Sequence, residues 1–265
     1  MGEDEVVIGV ICTVAAVVGW AVSSLSAFAI HRDVAGGGSR KAVVALAPVL
    51  AMVLILAVLL TISAHDVRRD ARYLWMYTAM GMAVVRIVLS LPSPAKLHAA
   101  RTAVEGRNTP AAWCVVAAAA GYALAFSGAN VGDGPGWHVV VFSAALSCGT
   151  LWLFHAALEL TARLPSRVAS DRSACAAWRL SALLVAGGAV CGRGACGNWH
   201  SAAATVADFW PIVWVLVIPL AIEAVLARVG APHPEDGVGR VVAFLAACAY
   251  LSMTFAYLAS LGPWS

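Results

Sequence analysis

The sequence predicts an all-α membrane protein, a polytopic bundle of seven or eight transmembrane helices in one domain over residues 1–265. Hydrophobic residues make up 62% of the chain and charged residues only 12%, and the mean hydropathy is +0.85. A soluble domain carries about 25% charged residues, so this composition excludes a water-soluble fold. The 17 basic and 14 acidic residues cluster between the apolar runs, as membrane-flanking loops do, and predict no nucleic-acid partner.

Apolar runs of about 20 residues match the thickness of a bilayer and recur along the whole chain. The first follows an acidic tip with no basic stretch and is too long for the core of a signal peptide, so we expect it to remain as a helix. The dense turn signal at residues 130–136 predicts a tight hairpin between the fourth and fifth spans. The candidate spans are residues 6–30, 42–63, 72–91, 111–128, 137–161, 173–192, 207–228 and 241–261.

Residues 173–192 are the ambiguous segment. Arg179 interrupts the apolar run, and the uninterrupted part, residues 180–192, is shorter than the roughly 20 residues that a spanning helix needs. The segment either crosses the membrane or forms a short interfacial or re-entrant helix. The count of spans is therefore seven or eight.

The run at 207–228 is the most informative span, because it contains two acids, two prolines and two tryptophans. Asp208 and Glu223 are about four helical turns apart, so they lie near opposite membrane faces and cannot form one acid–base site. Arg86, in the third span, is the other polar intramembrane residue. We expect all three near helix ends at the interface; the alternative pairs an acid with Arg72 or Arg86.

The distribution of Lys and Arg predicts the orientation. With eight spans, twelve basic residues belong to the first, third, fifth and seventh connections and four to the other side. Because basic loops stay on the cytoplasmic side, the amino terminus should lie outside, in a plasma membrane or an envelope. With seven spans the split is eleven to five, so charge alone leaves the number of spans open.

The cysteines and histidines predict little chemistry. Cys191 and Cys196 flank a glycine-rich stretch and are the candidates for a disulfide if that stretch faces an oxidising compartment, whereas the other five cysteines read as small hydrophobic residues. The seven histidines have no metal-type spacing, and no catalytic set is evident. We therefore expect no metal, no catalytic residues and no enzymatic activity.

Four stretches, in the right chain order, resemble helices of the microbial (type 1) rhodopsins. Residues 209–214, Phe-Trp-Pro-Ile-Val-Trp, resemble the aromatic-Pro-Val-Val-Trp motif of that family's sixth helix, in which the aromatic residue and the last Trp contact retinal. Residues 71–78 look like the third helix with its Asp lost, residues 140–147 resemble the fifth helix, and residues 244–258 align with the seventh.

The resemblance implies an opsin without its covalent chromophore. Ser252 stands where the family has the retinal-linking Lys, Cys248 stands where it has the counter-ion Asp, and the only lysines are Lys41 and Lys96. Covalent retinal and a light-driven proton pump of the family's type are therefore excluded, which leaves no cofactor except a non-covalent retinoid. The residues expected to line a ligand pocket are Arg72, Tyr73, Trp75, Trp210, Pro211, Trp214 and Ser252.

Two functional hypotheses follow. The first is a non-enzymatic, opsin-like multi-pass protein that acts through a non-covalent ligand or through helix packing with membrane proteins, including copies of itself, in the lipid bilayer. The second is a transporter, channel subunit or envelope scaffold unrelated to opsins, in which Pro211 and Pro219 bend their helix and Arg86 or Asp208 lines a polar path.

Overall fold

The computed structural model describes residues 1–29, 38–91, 102–104, 106–229 and 237–264, and this part of the chain is helical with no strand. The prediction of an all-α polytopic bundle is confirmed. The α-helices in chain order are α1 (Glu3–Ala29), α2 (Gly38–Thr61), α3 (His65–Arg69), α4 (Ala71–Ser90), α5 (Thr109–Gly128), α6 (Trp137–Ala162), α7 (Leu164–Ala169), α8 (Ala174–Ala195), α9 (Ala202–Val213), α10 (Val217–Arg228) and α11 (Gly237–Ser260).

Eight helices within the described residues are long and apolar enough to cross a membrane, with α9 and α10 counted as one span. The ambiguous segment is one of them, because α8 runs for 22 residues, about 33 Å at 1.5 Å per residue. It continues past the predicted end at residue 192 to Ala195, and the seventh span starts at Ala202, ahead of the predicted residue 207. The chain is an integral membrane protein.

Short polar side chains start the central helices. Asn108 accepts a hydrogen bond from the backbone N–H of Ala111 at the start of α5, and Ser173 accepts one from Ala176 at the start of α8. Such caps satisfy N–H groups that have no partner within the first turn. The Asn108 side chain also donates to the carbonyl of Val168 in α7, at 2.6 Å, which fixes α5 against the α6–α8 connection.

The centre of the bundle is the contact between α5 and α8. In the apolar windows of these two helices, 89% and 67% of the residues are buried, against 11% for α1 and 17% for α11. Glycines permit the contact: a Cβ atom on Gly128 would lie 1.9 Å from the carbonyl oxygen of Gly192. Small residues let two backbones approach in this way, and close packing then holds the helices together.

The span formed by α9 and α10 is broken near its middle. The α-helix stops at Val213, a 3-10 turn covers Trp214–Leu216, and α10 begins at Val217. Pro219 has no N–H to donate to the carbonyl of Val215, four residues earlier, so the α-helical ladder lacks a hydrogen bond at this turn. The break therefore has an identifiable cause in the sequence.

Both termini lie at one face of the bundle, which we call the terminal face. At the starts of α1 and α4, the Tyr73 hydroxyl donates to Glu5 at 3.2 Å. At the ends of α2 and α5, the N–H of Ala64 donates to the carbonyl of Asn130, also at 3.2 Å. The same end of the bundle therefore holds the starts of α1 and α4 and the ends of α2 and α5.

The carboxyl terminus belongs to the same face. After α8, the N–H of Gly197 donates to the carbonyl of Val131, the residue after Asn130, at 2.8 Å. Arg193, in the last turn of α8, donates to the carbonyls of Leu261 and Pro263 just beyond α11. An even number of crossings requires termini on one side, and the helix contacts agree with eight.

Candidate functional site

An ion pair lies inside the bundle near the face opposite the termini. The Arg179 guanidinium, in the second turn of α8, is 3.0 Å from a carboxylate oxygen of Glu223 in α10, and these side chains are only 11% and 1% exposed. Both residues lie within about two turns of helix ends at that face. An unpaired charge at this depth is costly, so each of the two charged side chains compensates for the cost of burying the other.

A tyrosine completes the cluster. The Tyr250 hydroxyl of α11 donates to the second carboxylate oxygen of Glu223 at 2.7 Å. Arg179, Glu223 and Tyr250, here called the charged network, thus join α8, α10 and α11. The Arg179 Nε is buried with no hydrogen-bond partner among the described residues, so the cation is only partly satisfied, and buried donors without a partner are uncommon.

An apolar cavity adjoins the charged network. It has a volume of about 150 Å³ and lies between α6, α8, α10 and α11. Tyr250 lines it, as do Leu216 of the 3-10 turn and Pro219. The cavity therefore places free space beside the break between α9 and α10.

A polar cleft opens on the terminal face. Its volume is about 140 Å³, and its walls come from the connections after α2, α5 and α8 and from the start of α9. Two of these connections are fastened together: the N–H of Trp199 donates to the carbonyl of Asp133, and the N–H of Asp133 donates to the side-chain oxygen of Asn198, both at 2.8 Å. Gly132, at φ +114°, sits where a Cβ would be 2.3 Å from the carbonyl oxygen of Gly197.

The predicted pocket residues of α4 do not face a common pocket. Tyr73 bonds to Glu5, Trp75 is 39% exposed and packs beside Gly9 of α1, and Arg72 is exposed at the start of α4. They belong to the contact between α1 and α4.

The remaining predicted pocket residues lie elsewhere, on the outer surface of the bundle. Trp210 and Trp214 are 50% and 69% exposed, and Pro211 and Ser252 are exposed too. The helices that carry them, α9 to α11, pack on α6 and α8, whereas α4 packs on α1, α2 and α5. Outward side chains in a spanning helix face lipid, so the structure does not bring the predicted set together.

The polar intramembrane residues have three different environments. Arg86 donates from Nε to the carbonyl of Gly19 in α1 at 2.9 Å. Asp208 is exposed and lines the polar cleft. Glu223 is fully buried and pairs with Arg179, and not with Arg72 or Arg86, the two cations considered for it from the sequence.

The suggested disulfide between Cys191 and Cys196 is absent, because both are free thiols. The stretch between them is the last turn of α8 and not a connection: Cys191 is buried within the helix, and the Cys196 thiol donates to the Gly192 carbonyl. Burial raises the pKa of the Cys196 thiol to about 12, although the nearby Arg193 charge opposes this shift.

Arg179, Tyr250 and Asn130 are the site residues that the sequence did not single out. Arg179 and Glu223 lie at the same membrane depth only if residues 173–192 cross the membrane. Because the sequence leaves the number of spans at seven or eight, it does not predict that these two residues pair. No three His, Cys, Asp or Glu side chains group as metal ligands in the described part of the chain. Comparison with known protein families, curated proteins and solved structures finds no match for this chain.

Proposed function

We propose that the chain is a non-enzymatic membrane transporter that carries protons, with the Glu223 carboxylate as the proton-binding group. The observation that carries the proposal is the charged network, which ties a broken span to two continuous ones inside the bundle. Ionisable residues within a bilayer are rare, and they commonly form proton relays and substrate paths in transporters.

The chemistry of the network supplies a switch. A proton that binds the Glu223 carboxylate neutralises it and removes the partner of the Arg179 guanidinium, whose Nε already lacks a hydrogen bond. The buried, unpaired cation then favours a second arrangement in which α10 separates from α8. The 3-10 turn at Trp214–Leu216 is the place where the span can bend, and the apolar cavity beside it provides room.

The distribution of charge supports an outward-facing terminal face. Apart from Arg179 of the charged network, eleven of the seventeen Lys and Arg residues lie in the sequence between the first and second, third and fourth, fifth and sixth, and seventh and eighth spans, or at the ends of those spans. With the basic loops in the cytoplasm, both termini and the polar cleft face the outside of a plasma membrane or an envelope. The charged network then lies in the inner half of the membrane.

The opsin-like hypothesis remains a prediction, and the geometry favours the transporter. Its motif at residues 209–214 lies in the seventh of eight candidate spans, and its two tryptophans point outward. Association with other membrane proteins through those outward faces is compatible with either hypothesis. Addition of all-trans-retinal to the purified protein, with quenching of Trp fluorescence as the readout and Trp214→Ala as the control, tests the opsin-like one.

The transporter is tested with the full-length protein in liposomes that contain a pH-sensitive dye. A potassium diffusion potential, negative inside, drives protons inward, and internal acidification is followed against protein-free liposomes. We expect acidification with the wild type, and at least a tenfold slower rate with Tyr250→Phe. Tyr257→Phe is the matched control, because it removes a hydroxyl from the same helix that donates to the Ile212 carbonyl and not to the charged network.

Glu223→Gln alone leaves Arg179 buried and unpaired, so it is tested together with Arg179→Gln. This double variant removes both charges, retains hydrogen-bonding groups and should stay folded but inactive. Wild-type rates that equal those of empty liposomes would rule out proton transport. Wild-type rates retained in both Tyr250→Phe and the double variant would show that the network only holds helices together.

A further inference from the structure

We propose that the polar cleft of the terminal face binds a small organic cation with a primary ammonium group. This inference names a substrate class for the transporter and rests on the proposed function only in that respect, because binding itself can be measured without transport.

The base of the cleft contains a buried acceptor that lacks a partner. Asn130 is 3% exposed, and its side-chain Nδ2 donates to the carbonyl of Phe126 at 3.2 Å. That bond identifies which side-chain atom is the nitrogen, so the remaining atom, Oδ1, is an acceptor. Oδ1 has no hydrogen-bond partner within the described residues. Asn130 lines the cleft, but Oδ1 itself has almost no exposed surface, so an N–H or O–H donor of a molecule in the cleft reaches this oxygen after a small shift of the lining.

The charges around the cleft select a cation. Asp66, Asp133 and Asp208 line it and are exposed, while no Lys, Arg or His of the described residues does so. Tyr77 and Ser143, both buried, contribute to its lining beside Asn130. A cationic solute would therefore meet carboxylates at the mouth and neutral oxygen groups deeper in the cleft.

The shape and donor set favour an organic cation over a metal ion. The three carboxylates do not converge as metal ligands, and no metal-type group occurs in the part of the chain that the structure describes. The volume of about 140 Å³ exceeds the roughly 10–15 Å³ that one water requires, so there is room for a small solute. An ammonium group offers three N–H donors, which suits a single acceptor below and separate carboxylates above.

The test is a titration of the full-length protein in lipid nanodiscs with 1,4-diaminobutane, followed by calorimetry. We expect saturable binding that weakens as salt increases, because exposed charges are screened. The neutral isostere 1,4-butanediol should not bind, and magnesium ions should not compete. Magnesium that displaces the diamine stoichiometrically would replace the proposed ligand class with a metal, and no saturable diamine binding would refute the site.

Two kinds of variant separate the parts of the site. Asn130→Leu removes the acceptor and should weaken binding at least tenfold. Because it also loses the bond to Phe126, the combined variant Asp66→Asn, Asp133→Asn and Asp208→Asn, at exposed positions, provides the second measurement. It should weaken binding about tenfold and reduce the salt dependence. Glu3→Gln is the matched control, an exposed acid of the same face outside the cleft, and should bind as the wild type does.

Equal affinity in wild type and in the triple-Asn variant would place the binding elsewhere and overturn the inference. Diamine binding without proton flux would leave the cleft assigned and contradict the transporter. Proton flux without diamine binding would support the transporter and refute the binding site, so each proposal can fail without the other.

Discussion

Gly188 of α8 lies directly against the backbone of Gly121 in α5: a Cβ atom on Gly188 would be 2.1 Å from the Gly121 carbonyl oxygen. The approach is reciprocal, because a Cβ on Gly121 would be 2.3 Å from the carbonyl oxygen of Leu184. Backbone atoms cannot move aside as a flexible side chain can, so the two helices meet at this distance only with glycine at both positions.

Gly188→Ala should therefore force α5 and α8 apart and lower the free energy of unfolding by about 1–3 kcal/mol, the usual cost of overpacking. The measurement is reversible unfolding in mixed micelles, with helicity as the signal. Gly149→Ala is the matched control, since a Cβ there meets nothing within 4 Å. It should be neutral or stabilise by up to about 1 kcal/mol, through the better helix propensity of Ala. Equal effects at both positions would contradict the close approach.

The spans could be predicted from the sequence because length and hydropathy are local properties, but the centre of the bundle could not. The most hydropathic of the eight helices, at residues 42–61, is only 28% buried, whereas the α5 span, at half that hydropathy, is 89% buried. In lipid an apolar face gains little by turning inward, so burial follows small residues and not hydrophobicity. Gly188 and Gly192, four residues apart in α8, are the small residues that mark this contact. They lie in residues 173–192, the segment for which the sequence leaves the membrane crossing open.

The candidate site was less predictable than the fold, because it depends on how distant helices pack and not on local properties of the chain. Glu223 was recognised as a polar intramembrane residue, but its partners Arg179 and Tyr250 come from α8 and α11, and only the packing of three helices brings them together. Asn130 belongs to a turn, where Asn is common for purely local reasons. Its unpaired oxygen is a property of the surrounding connections and has no signal in the chain.

The charged network should also contribute to stability. Glu223→Met should lower the free energy of unfolding by about 3–5 kcal/mol, because it leaves the Arg179 charge buried and unpaired. Replacing both residues by Met removes the charges together and should cost less than the sum of the single replacements. Reversible unfolding of the four proteins measures this coupling, with Arg72→Gln, an exposed cation, as a control expected within about 0.5 kcal/mol of wild type. Strict additivity would mean that the two side chains do not interact.

The Cys196 thiol should react slowly with maleimide reagents. Its pKa is raised to about 12 by burial, so almost none of it is thiolate at pH 8, and the thiolate is the reactive form. As the pH rises, the unfolded chain loses this proton first, near pH 9, so the group leaves stability unchanged below that pH and lowers it between about 9 and 12.

Mass spectrometry after timed labelling at pH 8 measures the rate at this residue. We expect the labelling rate at Cys196 to be at least 100-fold slower than at an exposed cysteine introduced on the same face by Glu3→Cys. The rate at Cys196 should increase in a detergent that unfolds the protein. Comparable rates in the folded protein would mean that the end of α8 opens readily.

The two ends of the chain should be accessible from the same side of the membrane. The hydrogen bond from Tyr73 to Glu5 places the start of α1 at the terminal face, and those from Arg193 to Leu261 and Pro263 place the end of α11 there. Epitope tags at the two termini, probed with antibody in intact and in permeabilised cells, measure this. Both should stain without permeabilisation, because the basic connections keep the opposite face in the cytoplasm.

Tags on opposite sides would mean that α8 does not cross, and would restore the seven-helix order that the opsin-like hypothesis requires. Tags that both stain only after permeabilisation would preserve eight crossings but reverse the orientation. The polar cleft would then face the cytoplasm, so a cytoplasmic amine would replace an external one as its ligand. The packing of α8 against α5 and the charged network would be unaffected, since neither depends on which side is outside.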